Sequence, residues 1–152
     1  MGAGRGIFFG VSVGPGDPEL LTRKACRVLE ACPVIGAAQT ARGEQLALSI
    51  ARRAVDLTGK EILSLPFSMA RDLAVRQAAW RRAAAMVRQV LDRGQDVAMV
   101  VLGDVSIYST YCYLMELLRE EGYETEMIPG VASFSAVPPA VRYISKEKKK
   151  SF

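Results

Sequence analysis

Five short stretches of strand-like composition alternate along the chain with segments of helical periodicity, and this order constrains the fold more than any other feature. The strand-like stretches are residues 7–13, 34–36, 61–67, 97–102 and 124–128. The periodicity between them predicts helices from Asp17 to Cys32, over residues 43–55, over 72–93 and through 106–121. Strands that alternate with helices are typical of a three-layer α/β domain with a mostly parallel sheet, and we expect that fold class.

Local signals suggest where the helices begin, end and face the core. Asp17 can cap the first helix, with Pro18 at its first position. Gly94 and Gly122 follow the third and fourth helices, as expected of a left-handed C-terminal residue. The apolar face of the second helix is predicted to carry three residues, Leu46, Ile50 and Ala54.

Composition favours one domain and argues against several kinds of site. The chain has 152 residues, of which 50% are hydrophobic, enough for one domain with a core. It contains no histidine, and its three cysteines form no CxxC pair, so zinc sites, disulfide frameworks and histidine-based catalysis are not expected.

No apolar run approaches the roughly 20 residues that a bilayer requires. We therefore expect a cytoplasmic protein with no membrane partner.

The net charge of +4 comes largely from the lysine-rich tail. Residues 1–145 carry 16 basic and 15 acidic side chains, so no nucleic-acid partner is expected. The third helix contains several arginines, for which a solvated outer face is the ordinary interpretation and a nucleic-acid face the alternative. These arginines are at positions 76, 81, 82, 88 and 93.

Three glycine-bearing turns follow predicted strands, at residues 13–18, 102–110 and 129–135. Ligands of parallel α/β sheets bind outside the carboxyl ends of the strands, so the three turns together indicate a functional rim. The first turn has no third glycine and no Walker lysine, and its two prolines remove backbone N–H donors, which argues against phosphate binding. It is either a rigid wall beside a ligand or a plain helix-capping turn.

The second turn offers more chemistry than the first. Gly103 has no side chain that would block access to its backbone groups. Asp104 can accept hydrogen bonds, and the hydroxyls of Ser109 and Thr110 can donate them. This set suits a ligand that has an ammonium, a carboxylate and a ribose, as S-adenosylmethionine does. The alternative is that Asp104 only caps the following helix.

Taken together, GVSVGPGDPELLTRKA, LGDVSIYSTYCYL and PGVASFSA strongly resemble the N-terminal signatures of the tetrapyrrole methylase family. Order and spacing agree across residues 7–136. GDVSIYST running into YCYL, with VIGAAQTARGEQLALSIA and SLPFSMARD, resembles the subgroup that methylates C20 of precorrin-2 or its cobalt form. The rivals are other family members, a non-catalytic S-adenosylmethionine-binding domain and a plain flavodoxin-like domain.

The resemblance implies S-adenosylmethionine as cofactor, a tetrapyrrole substrate and a homodimer. It also implies that Asp17 faces the tetrapyrrole, which makes Asp17 the candidate catalytic residue. The implied cofactor-binding residues are Pro15, Leu102, Gly103, Asp104, Ile107, Tyr108, Ser109, Thr110, Ala132 and Ser133.

The resemblance implies two α/β domains, of which residues 1–136 correspond to the N-terminal one. Residues 137–152 form a divergent lysine-rich tail, in which Pro138 and Pro139 interrupt a helix. The end reads like a truncation or a shifted frame, with a genuine short form as the alternative. We expect the face that would meet a second domain to be unusually apolar.

Overall fold

The computed structural model describes residues 4–13, 21–39, 43–68, 70–101 and 105–128, without the side chains of 43–45 and 105–110. In chain order its elements are β1 (Ile7–Ser12), α1 (Arg23–Ala31), β2 (Val34–Gln39), α2 (Gly43–Ala54), β3 (Glu61–Pro66), α3 (Leu73–Asp92), β4 (Val97–Val101), α4 (Val105–Glu120) and β5 (Glu124–Ile128).

The five strands form one parallel sheet in the order β3-β2-β4-β1-β5. The central strand β4 is buried along its whole length. Its residues alternate between the two sides, so that Met99 enters one apolar core and Val100 the other. A central strand covered on both faces explains why residues 97–101 are continuously apolar rather than alternating.

The helices cover both faces of the sheet. Leu29 of α1 and Ile50 of α2 belong to the core on one face, whereas Trp80 of α3 and Leu114 of α4 belong to the core on the other. The expected α/β class with three layers and a parallel sheet is therefore confirmed, since the two helical layers enclose the sheet.

Glycine at position 10 allows α4 to approach β1 closely. A Cβ at Gly10 would lie 2.3 Å from the Tyr111 ring, which therefore packs directly on the strand backbone. The Tyr111 hydroxyl donates a hydrogen bond to the carbonyl oxygen of Glu126, at 3.1 Å, and its ring lies 5.1 Å from that of Phe8. Tyr111 thus joins α4 to two adjacent strands.

Two local predictions are wrong. The first helix begins at Arg23, with Thr22 rather than Asp17 as its cap, because the Thr22 hydroxyl accepts the Ala25 amide at 3.1 Å. Leu46 was expected in the core but is 53% exposed, since α2 instead buries Ala47, Leu48, Ile50 and Ala51. By contrast, Gly94 and Gly122 have positive φ after α3 and α4, as predicted.

None of the described helices is long and apolar enough to cross a membrane. Among the same residues there is no group of three metal-binding side chains of the His, Cys, Asp or Glu type.

Candidate functional site

The three glycine-bearing turns follow three adjacent strands. The turns at residues 102–110, 13–18 and 129–135 come after β4, β1 and β5, which are neighbours in that order in the sheet. Because parallel strands end at the same edge, the turns start side by side. The three strands that precede the turns thus end side by side, and the shared rim formed by the turns themselves stays a prediction.

Two of these strands send the chain to opposite faces of the sheet. From β1 the chain continues to α1, and from adjacent β4 it continues to α4 on the other face. Such a reversal between neighbouring strands opens a crevice above their carboxyl ends, where doubly wound folds bind ligands. The crevice above β1 and β4 is therefore the candidate site.

The floor of this crevice is held by backbone pairing that extends past the end of β1. The Val13 amide donates to the Val101 carbonyl oxygen at 3.0 Å, and both side chains are buried. Beside them, Ser12 pairs in register with Val101, and β5 ends at Ile128 opposite Val11. The two turns above β1 and β4 thus leave from a fixed base.

Most predicted site residues lie outside the described part of the chain. Pro15, Asp17, Leu102, Gly103, Asp104, Ala132 and Ser133 fall there, and their roles stay predictions. Ile107, Tyr108, Ser109 and Thr110 lie in the first turns of α4, next to the crevice, but only their backbone is described. The structure therefore brings together the strands that precede these residues and the start of α4, without describing the site side chains.

The opposite, amino-terminal edge of the sheet is closed by polar contacts. The Asp96 carboxylate accepts the Ile7 amide at 2.8 Å, and the Lys60 ammonium donates to the carbonyl oxygens of Glu30 and Cys32 at 2.7 Å each. Asp92 accepts the Tyr123 hydroxyl at 2.6 Å. These contacts join the ends of strands and helices and have a structural role.

Two raised pKa values belong to that same amino-terminal edge. Burial, with a smaller contribution from the Asp96 carboxylate, raises the pKa of the Cys32 thiol to about 12. Burial and the hydrogen bond to Asp92 raise the pKa of Tyr123. Groups with such pKa values hold their protons at neutral pH, so they are not candidates for a base in the crevice.

Two cavities beside α2 are also separate from the crevice. One, of about 430 Å³, is lined by Leu48, Ser49, Arg52 and Arg53. The other, of about 300 Å³, is lined by Arg52, Asp56, Leu57 and Thr58. Both lie toward the C-terminal end of α2, which points to the amino-terminal edge of the sheet, and they are not assigned to the ligand.

Two further residues at the carboxyl edge of the sheet were not singled out from the sequence. Ser12, half-buried, ends β1 on the same side as Phe8 and Gly10. The period-two pattern of β1 is the signal that places it there. Arg76 lies in the first turns of α3 and was not distinguished from the other arginines of that helix.

Comparison with known proteins gives one consistent result. A family model described as Tetrapyrrole (Corrin/Porphyrin) Methylases matches residues 8–147. The cobalt-precorrin-2 C(20)-methyltransferase of Salmonella typhimurium is 34% identical over 135 residues, covering 87% of this chain and 55% of that protein. A protein of Methanocaldococcus jannaschii, named as a probable cobalt-precorrin-2 C(20)-methyltransferase, is 36% identical over 134 residues, covering 88% and 56%.

The fold is also similar to that of a solved structure. The X-ray structure of cobalt precorrin-4 methyltransferase, a cobalamin biosynthetic enzyme, matches with a TM-score of 0.61 and 25% identity. The match covers 93% of this chain and 52% of that one. The chain thus spans about half the length of the proteins it matches.

Proposed function

Because the chain belongs to the tetrapyrrole (corrin/porphyrin) methylase family, we propose that it takes part in S-adenosylmethionine-dependent methyl transfer to C20 of precorrin-2 or cobalt-factor II in cobalamin biosynthesis. The observation that carries the proposal is the identity of 34% and 36% to two C(20)-methyltransferases along nearly nine tenths of the chain. The GDVSIYST segment running into YCYL supports the same subgroup.

We place the cofactor in the crevice above β1 and β4. The base of this crevice is held in place where the turns begin, because the Val13 amide and the Val101 carbonyl oxygen bond to each other. Pro15 of the first turn, Leu102, Gly103 and Asp104 of the second, and the start of α4 with Ile107 would then border the cofactor. The proposal adds Tyr108, Ser109, Thr110, Ala132 and Ser133 as further contacts.

The chemistry requires alignment more than acid–base catalysis. When bound, S-adenosylmethionine would supply an already activated methyl group and would leave as S-adenosylhomocysteine. C20 of the substrate is an enamine-like nucleophile, which gains the methyl group and releases one proton. The chain has no histidine, which is consistent with a reaction that depends on orientation. Proximity and orientation contribute on the order of 7–11 kcal/mol to such reactions. In this scheme the rigid turn that carries Asp17 forms the wall that faces the tetrapyrrole.

A second candidate function is methyl transfer to a later corrin intermediate. The similarity of the fold to cobalt precorrin-4 methyltransferase favours it. The two functions differ in the carbon that is methylated, so the position of a transferred label separates them.

The experiment is incubation of the full chain with S-adenosylmethionine labelled with ¹³C in its methyl group. Cobalt-factor II and cobalt-precorrin-4 are offered in separate reactions, and the labelled carbon is located by NMR. We expect enrichment at C20 of the first substrate. The variant Asp104→Asn should lose most of this transfer, whereas Asp56→Asn should retain it because Asp56 lies exposed at the opposite edge.

Label at C11 of the second substrate would favour the alternative, and no transfer to either substrate would contradict both.

The proposal also includes a cytoplasmic homodimer. The mass of the chain in solution, from light scattering, tests the homodimer.

A further inference from the structure

Helix α3 extends past the carboxyl edge of the sheet. A helix of 20 residues is about 30 Å long, whereas strands of five or six residues span about 17–20 Å. Since α3 follows β3, it begins at the carboxyl edge, and the exposure of its first turns indicates that they are the part that protrudes. Residues 73–78 are exposed except Arg76, which is partly buried, and the first fully buried residue is Ala79.

Arg76 differs from the other arginines that the structure describes. Its Nε is buried and has no hydrogen-bond partner among the described residues. Arg88, the other partly buried arginine, has a carboxylate partner, since its Nε and Nη2 lie 2.6 Å and 2.8 Å from the two Glu121 oxygens. A buried N–H donor without an acceptor is unfavourable, so an anion that accepted from the Arg76 Nε would stabilise this side chain.

The packing of α3 against α4 places Arg76 at the carboxyl edge of the sheet, where the crevice opens. The rings of Trp80 and Tyr113 stack with 4.0 Å between centroids and 14° between planes, which aligns the two helices. Both helices begin at the carboxyl edge of the sheet. Arg76 lies one helical turn from Trp80 toward that edge, and residues 109–110 lie about one turn from Tyr113 in the same direction. Arg76 is therefore level with the turn of α4 that borders the crevice.

Exposed apolar side chains lie near Arg76, together with the exposed Asp72 that caps the helix one turn away. Leu73 is 49% exposed one turn away on the same helix, and Tyr113 is 46% exposed beside Trp80. Exposed apolar side chains beside a cation are complementary to a flat apolar ring system with carboxylates at its periphery. A tetrapyrrole has this form.

Resting on the proposed function, we infer that Arg76 binds a peripheral carboxylate of the tetrapyrrole substrate, with Leu73 and Tyr113 contacting the edge of the macrocycle. The guanidinium can bind a carboxylate through two parallel N–H donors, which fixes the orientation of the carboxylate as well as its position. Arg76 is a substrate-positioning residue in this assignment, and it takes no part in cofactor binding.

Trp80 provides a direct readout because it is the only tryptophan in the chain and lies one turn from Arg76. The test is titration of the full chain with uroporphyrin III, which has eight carboxylates. Binding is measured from the change in Soret absorbance and from the quenching of Trp80 fluorescence. The variants are Arg76→Ala and Arg76→Lys. The control is Arg82→Ala, which removes an exposed arginine from another side of the same helix.

We expect Arg76→Ala to weaken uroporphyrin binding about tenfold or more, Arg76→Lys to restore part of it, and Arg82→Ala to bind within twofold of the natural chain. Circular dichroism verifies that the variants are folded. Calorimetry with S-adenosylhomocysteine should give the same affinity for all four proteins.

The inference is overturned if Arg76→Ala binds uroporphyrin as the natural chain does, or if the natural chain binds S-adenosylhomocysteine but no uroporphyrin. A shift from dimer to monomer in Arg76→Ala with unchanged uroporphyrin affinity would identify the surface as a contact between copies and would also overturn it. Failure of the natural chain to bind S-adenosylhomocysteine contradicts the proposed function instead, while the uroporphyrin affinities still decide the role of Arg76.

Discussion

Gly10 shows how one residue determines the packing of a whole helix. The Tyr111 ring occupies the space that a side chain at position 10 would need, and its hydroxyl bonds to the neighbouring strand. Gly10→Ala would force the ring and α4 away from β1. We expect the free energy of unfolding to fall by about 1–3 kcal/mol, the usual cost of overpacking a core.

Urea denaturation of Gly10→Ala measures this loss. The matched control is Gly4→Ala, since nothing lies within 4 Å of a Cβ at Gly4. If the two variants were equally stable, the close contact between Tyr111 and β1 would be wrong.

The Cys32 thiol predicts a pH dependence of stability. Its pKa is raised from 9.0 to about 12 in the folded protein, so the unfolded chain loses this proton at lower pH than the folded one. The stabilisation is therefore complete below about pH 9 and is lost as the pH rises toward 12. Urea denaturation at pH 8 and pH 10.5 should show a larger loss for the natural chain than for Cys32→Ala. Equal losses in both proteins would show that the thiol is not buried as described.

At the scale of the elements, the beginning of α1 depends on a single hydroxyl. Thr22 accepts the Ala25 amide at 3.1 Å, and no acidic residue lies in the first turn to replace it. Thr22→Ala should destabilise the protein by about 1 kcal/mol, the usual cost of losing such a cap. Thermal unfolding of Thr22→Ala and of Thr22→Ser checks this, because serine keeps the acceptor. A serine variant as unstable as the alanine variant would argue against the capping role.

The elements themselves could be predicted from sequence because each has its own local signal. The bounds of β5 agree with the prediction and those of α3 and β4 lie within one residue of it, since periodicity and a terminal glycine mark them. Strand β2 was expected to end at Gly36 but continues to Gln39. The extension was missed because Ala37 and Ala38 have low strand propensity, and it forms because both residues pair with β3. The exposure of Leu46 was also missed, since the face of α2 that packs inward is decided by the sheet beneath it.

At the scale of the molecule, the position of the candidate site could be predicted but one of its proposed residues could not. Three glycine-bearing turns after parallel strands were expected at one edge, and the strand order β4-β1-β5 brings their starting points together. Arg76 could not be chosen from its helix by pattern alone. Its distinction, partial burial without a carboxylate partner in the part of the chain that the structure describes, is a property of tertiary packing.

The central claim is that the crevice above β1 and β4 binds S-adenosylmethionine, and NMR tests it most directly in a chain of 16.5 kDa. ¹⁵N-labelled full chain is titrated with S-adenosylhomocysteine, and the amide shifts are mapped on the structure. We predict shifts concentrated at residues 13–17 and 101–110, with Gly4–Gly6 and Asp92–Asp96 at the opposite edge unchanged. No shifts, or shifts confined to that opposite edge, would contradict the claim.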